Sequence, residues 1–192
     1  MSSFTITMPD WHEEMEASVA PCHGDRDRMA VAIAFSRRNV AEGTGGPFGA
    51  AIFECESGRL VAAGVNVVVP SSTAIAHAEA TAVALAGQRL GTFDLGAPGL
   101  PAMELVSSTA PCAMCLGVTV WSGVSRLVCG ARAVDATAIG FDEGPRPGDW
   151  LEELARRNID VVRDVMRPEA VAVLQDYAAI GGTIYNARAG RA

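Results

Sequence analysis

Positive charge is in short supply in this chain. Fifteen Lys and Arg face 22 Asp and Glu, giving a formal net charge of −7 and a pI of about 4.9. Such a surface repels phosphate backbones, which argues against a nucleic-acid substrate. Long apolar runs are also missing, and none approaches the length of a membrane span. Residues Met1 to Asp10 offer neither a basic n-region nor an apolar h-region, so a cytoplasmic location is expected. The cysteines, Cys22, Cys55, Cys112, Cys115 and Cys129, are odd in number and lack a secretory context, which excludes a disulfide framework. There is no internal repeat and no linker long enough to divide the chain.

What is present is apolar and regular. Hydrophobic residues make up 49% of 192 residues and charged residues 19%, as expected of one domain with a sizeable core. Residues 1–24, broken by Pro9, Trp11, Pro21 and Gly24, read as an irregular N-terminal extension. Asp25 reads as the N-cap of a helix reaching about Glu42. Phe48 to Glu54 and Leu60 to Val69 read as strands joined by the tight turn Glu56-Ser57-Gly58, an antiparallel hairpin. Helices are expected from Ile75 to Gln88, from Pro111 onward, over Val134 to Ile139, over Trp150 to Arg157 and over Pro168 to Ala179. Strands are expected over Met103 to Ser107, Ser125 to Gly130 and Ile159 to Val165. Alternation of strand and helix after the hairpin implies a mixed five-stranded sheet, largely parallel beyond its first pair, with helices on both faces. The expected division is an extension over 1–24, a catalytic domain over 25–182 and a tail over 183–192.

Two short motifs carry the chemistry. His77-Ala78-Glu79 opens one helix and Pro111-Cys112-Ala113-Met114-Cys115 opens another. Cys112 and Cys115, three apart in a first turn, share a face, and free amides with the helix dipole favour their thiolates. With His77 they form a zinc ligand set of three, which leaves one of four positions for water. Glu79 stands two residues from the histidine, placed to take that water's proton. A closed structural zinc site would need a fourth ligand, Cys129 or His23, and would have no use for Glu79.

The pattern H-x-E followed by P-C-x-x-C is the signature of zinc-dependent base deaminases. On these motifs, together with Gly45-Gly46-Pro47-Phe48-Gly49-Ala50, Asn66, the run from Leu116-Gly117 to Trp121 and Gly140-Phe141-Asp142-Glu143-Gly144-Pro145, the chain resembles the cytidine-deaminase-fold family. Within it, the chain is similar to bacterial guanine deaminases, including a subgroup that also accepts ammeline. The resemblance implies a three-layer α/β/α fold, one Zn2+ per subunit and hydrolysis of guanine to xanthine and ammonia. It implies that His77, Cys112 and Cys115 bind zinc and that Glu79 shuttles protons. Glu143 would be a second proton carrier that meets the guanine edge, in a position where some members carry aspartate. Asn66 would hydrogen-bond the purine, Phe48 and Trp121 would shape the base pocket, and Ala78 would join them. The tail Thr183-Ile184-Tyr185-Asn186-Ala187-Arg188 would act as a lid to which Tyr185 contributes. In similar proteins such a segment comes from the other subunit of a swapped homodimer. Ammeline, another aminopurine or aminopyrimidine, or a nucleoside is the alternative small-molecule substrate. A tRNA adenosine deaminase or a structural zinc module is the alternative class.

Overall fold

The computed structural model describes residues 3–188. Its centre is one sheet of five strands, β1 (Gly49–Glu54), β2 (Leu60–Val65), β3 (Met103–Thr109), β4 (Arg126–Ala131) and β5 (Asp160–Val162), in the order β2-β1-β3-β4-β5. β1 is antiparallel to both β2 and β3, whereas β3, β4 and β5 run parallel. β2 and β3 therefore point the same way, and β1 starts where they finish. The pairings Gly49 with Val65 and Ala50 with Ser107 fix this register. Three chain segments, Phe48 before β1, Asn66 after β2 and Ala110 after β3, thus meet at one end of the sheet.

Eight helices accompany the sheet among the described residues: α1 (His12–Ala17), α2 (Asp25–Ala41), α3 (Val68–Ser71), α4 (Ala78–Leu90), α5 (Ala113–Ser122), α6 (Ala133–Ala138), α7 (Trp150–Ala155) and α8 (Arg167–Ala179). Side chains alternate between the two faces of each strand. Ala51, Phe53, Val106 and Val128 face α2 and α8, joining Met29, Phe35 and Leu174 in one core. Ala50, Ile52, Leu105 and Leu127 face the other way and join Ala82, Leu116 and Leu154 in a second. Burial on both faces explains why β3 is apolar or small at every position but Glu104. The expected three-layer mixed sheet is what forms.

Two expectations are corrected. The second strand ends at Val65 rather than Val69, and Val68–Ser71 forms α3 instead. Its Val-rich sequence has strand propensity, but Pro70 cannot donate to a ladder and tertiary position decides. The N-terminal extension also contains α1, whose entry is set by the His12 N–H donating to Pro9 O at 2.9 Å. At six residues it is too short to show a helical period. His12 and Trp11 are buried against the body, and His12 Nε2 lies 3.1 Å from Ala63 O. The tail expectation covered 183–192, of which 189–192 lie outside the described residues.

Candidate active site

Both metal motifs occupy N-caps rather than first turns. His77 caps α4 with φ −72° and ψ 156°, and Cys112 caps α5 with φ −67° and ψ 175°. An extended cap residue points its side chain off the helix axis, into the crevice at the strand ends, while Glu79 and Cys115 follow within the first turn. Close packing of α4 on β2 is what brings Glu79 inward. At Gly64 a Cβ would come within 2.3 Å of Ala78 O and 2.4 Å of Ala82 N, so only glycine fits.

His77, Cys112 and Cys115 converge, with their donor atoms within 4.8 Å of one another. His77 Nδ1 is 3.5 Å from Cys112 Sγ and 3.6 Å from Cys115 Sγ. Zinc bonds of about 2.3 Å to sulfur and about 2.0 Å to nitrogen at a tetrahedral angle require an S···N separation of about 3.5 Å. One imidazole and two thiols are also the donor chemistry zinc prefers, so the residues fit the group. Among the described residues the cluster has three members. Cys129 is in the core on β4 and His23 is at the surface, so the fourth ligand of a closed structural site is not supplied.

The electrostatics suit a cation. A hydrogen bond from Cys115, opposed by burial and helped by His77, pulls the Cys112 thiol down to about 4. That bond and burial push Cys115 far up, so a second thiolate is disfavoured until a positive ion arrives. Burial, then the Cys112 charge, holds the Glu79 carboxyl above its ordinary value, against the pull of His77. Its Oε1 accepts from Ser107 Oγ at 3.3 Å.

Around this floor lies a cavity of about 270 Å³ lined by Phe48, Asn66, His77, Glu79, Cys112, Glu143 and Tyr185, with Phe141, Asn186 and others completing it. Burial first, then the charges of Cys112 and Glu79, push Glu143 up to about 8. Asn66 is 1% exposed and its Nδ2 donates to Tyr185 Oη at 2.7 Å. Burial raises the Tyr185 hydroxyl, which therefore keeps its proton. The tail thus lies over the cavity of its own chain. Phe48 meets Phe141 edge-on at 5.0 Å, and Phe141 lies 5.0 Å from Tyr185, an aromatic wall along one side.

Two sequence candidates fall outside. Trp121 is 85% exposed on the outer side of α5. Six positions beyond Cys115 it has turned away from the cavity, since a helix rotates about 100° per residue. Ala78 is fully buried, but among the apolar residues beneath α4 rather than in the cavity wall.

Three contributors were not anticipated. Phe141 lies in the Gly140 to Pro145 segment that carries the resemblance, which by itself gives this residue no role. Asn186 donates to Gly140 O and accepts from the Asp142 amide. Asn39 on α2 is fully buried, and its Nδ2 donates to Gly46 O at 2.9 Å and Asn66 O at 2.8 Å. Thr44 Oγ1 donates to Asn39 Oδ1 at 2.8 Å, and Trp11 Nε1 donates to Thr44 Oγ1 at 3.2 Å. The N-terminal extension therefore buttresses the backbone that holds Asn66.

Comparison with known proteins agrees with this geometry. A family model described as the cytidine and deoxycytidylate deaminase zinc-binding region matches residues 23–131. The chain is 37% identical over 112 residues to the guanine deaminase of Bacillus subtilis (strain 168), which covers 58% of this chain and 67% of that one. Among solved structures, it is similar to a guanine deaminase from Nitrosomonas europaea, with 45% identity and a TM-score of 0.89 over 92% of this chain and 97% of that one. It is also similar to a protein solved in complex with 2,6-diaminopurine, with 47% identity and a TM-score of 0.91 over 97% of this chain and 98% of that one.

Proposed function

Because the chain belongs to the zinc-binding family of cytidine and deoxycytidylate deaminases, we propose that it hydrolyses guanine to xanthine and ammonia. The observation that carries this reading is the presence of Asn66 and Glu143 in the same cavity as Glu79 and the His77–Cys112–Cys115 cluster. The similarity to guanine deaminases over most of the chain supports guanine among aminated bases.

Zinc held by His77 Nδ1 and the Sγ atoms of Cys112 and Cys115 would supply the Lewis acidity that lets water ionise near neutral pH. Glu79 takes a proton from the attacking water and passes it to N3 of guanine as the oxygen bonds to C2. The remaining hydroxyl proton reaches the 2-amino group through Glu143, the C2–N bond breaks and ammonia leaves. Asn66 hydrogen-bonds the purine and orients it. Phe48 and Phe141 pack against the base, and Tyr185 closes over it and excludes water. A cavity of about 270 Å³, at the lower limit of small-molecule sites, suits a free base better than a nucleoside or a tRNA loop. In domain organisation, 25–182 is the catalytic unit, the described part of the extension, 3–24, buttresses it and the described part of the tail, 183–188, is the strap.

A homodimer completes the reading. Helix α5 carries no charged residue, and a helix apolar all round is normally covered. Trp121 is 85% and Phe93 92% exposed, and the Leu95 N–H donating to Ser122 O puts the Phe93 loop beside the end of α5. Two copies of a chain with net charge −7 approach with least repulsion through such a face. Each strap then closes its own pocket, and exchange between subunits is not needed. Five free cysteines, two of them metal donors, suit a reducing cytoplasm.

The test is a steady-state comparison of guanine, ammeline, 2,6-diaminopurine, cytosine, cytidine and adenine with the zinc-loaded enzyme. Guanine is expected to show the highest kcat/KM, and negligible xanthine formation from guanine contradicts the proposal.

A further inference from the structure

The tail meets the cavity in two separate places. Tyr185 bonds to Asn66, while Asn186 turns toward the loop that carries Glu143. Asn186 Oδ1 accepts the Asp142 N–H at 2.9 Å, and its Nδ2 donates to Gly140 O at 2.8 Å. We propose that Asn186 is a positioning residue for Glu143: it clasps the backbone beside that carboxylate, so that closing the tail and delivering Glu143 into the cavity are one event. The role given to Glu143 rests on the guanine reading above; the clasp itself does not.

The loop needs such a clasp. Gly140 and Gly144 bracket it with φ of 106° and 69°, a region that glycine enters freely and in which it holds no fixed shape by itself. On the downstream side the Ala113 N–H donates to Glu143 O at 2.9 Å, and the Gly144 N–H donates to Asp142 Oδ1 at 2.9 Å. On the upstream side Phe141 is 4% exposed and its N–H donates to Ala136 O at 3.2 Å. Between these anchors, among the described residues, the Asp142 amide is bonded only to Asn186. Asparagine suits the task because its amide accepts and donates at once, whereas aspartate offers no donor. With both ends engaged on backbone, this side chain acts through the loop. Lifting the tail removes the clasp and also takes Tyr185 away from Phe141, so the two supports of the loop go together.

The experiment uses the full-length zinc-loaded enzyme with N186A, E143Q and the double variant. N186A is expected to lower kcat for guanine about 10- to 100-fold, the scale of a displaced catalytic group. KM should change by less than about threefold. Adding N186A to E143Q should cost less than about twofold more, because the group being positioned is already disabled. Full multiplicative losses, or a loss confined to KM, overturn the proposal. Hydrogen–deuterium exchange over residues 140–146 gives a readout independent of substrate. N186A should speed exchange at the Asp142 amide, and unchanged exchange overturns the clasp. If the wild type fails to turn over guanine, the substrate reading falls while the exchange result still decides the clasp.

Discussion

Two buried glutamates sit at opposite ends of the same sheet and are treated in opposite ways. Glu104, at the start of β3, is fully buried and is met by the guanidinium groups of Arg28 on α2 and Arg126 on β4. Arg126 in turn holds Asp25 through two bonds of 2.8 Å. Glu79 is 7% exposed at the other end and has no guanidinium; its neighbours are Ser107, His77 and the Cys112 thiol. A buried carboxylate met by two guanidinium groups serves as a bridge between elements. A buried carboxylate with a hydroxyl, an imidazole and the thiols of Cys112 and Cys115 nearby, and no guanidinium, has its proton affinity raised and is free to exchange protons. Burial alone therefore does not mark a catalytic acid or base, whereas the partner set does.

Variants at the two ends should separate function from fold. The largest effect is expected for Cys112→Ser: metal analysis should show zinc falling well below one per chain and guanine turnover falling to background, with the fold retained by circular dichroism. Next comes Glu104→Gln at the opposite end. Breaking a buried ion pair leaves the Arg28 guanidinium without a carboxylate partner, Arg126 keeping Asp25, and should cost about 3–5 kcal/mol in denaturant unfolding, while kcat per folded molecule stays unchanged. A loss of kcat there would erase the distinction between the two carboxylates.

Smaller effects sharpen it. Tyr185→Phe removes the acceptor of the Asn66 amide but keeps the ring, and one neutral hydrogen bond is worth about 0.5–1.5 kcal/mol. KM for guanine is expected to rise about two- to tenfold, and an unchanged KM would break the link between tail and base recognition. Asp25→Asn should cost about 1 kcal/mol, since this pair is part-exposed and screened. Hydrogen bonds from Arg126 hold the Asp25 carboxyl below its ordinary value against partial burial. A depressed carboxylate stabilises the fold above its unfolded pKa of about 3.9 and loses that contribution as pH falls through the folded value. The gap between wild type and Asp25→Asn in thermal unfolding should therefore be full at neutral pH and close in acid below about pH 4.

The metal ligands and Glu79 were legible in the sequence because each motif is contiguous and sits at the start of a helix. The hairpin and the parallel order followed from alternation and connection length in the same local way. What stayed hidden depends on contacts between distant segments. Asn39 and Asn186 are ordinary polar residues until folding sets them against Gly46, Asn66 and the Gly140 loop. Trp121 misled for the converse reason: nearness to Cys115 in sequence says nothing about which side of α5 it faces. Val67, Val68 and Val69 look like a strand, and only the end of the sheet at Val65 makes Val67 the cap and Val68 and Val69 the first residues of α3.

The most direct measurement is guanine turnover by Glu79→Gln prepared with one zinc per chain, beside the wild type. Glutamine keeps the size and polarity of the side chain but carries no exchangeable carboxyl proton. Xanthine formation should fall by about 10²- to 10⁴-fold, the usual contribution of general acid–base catalysis, with zinc content and unfolding temperature unchanged. Turnover within about twofold of wild type at full zinc occupancy would contradict the assignment of proton transfer to Glu79, because a lost general base costs far more than that.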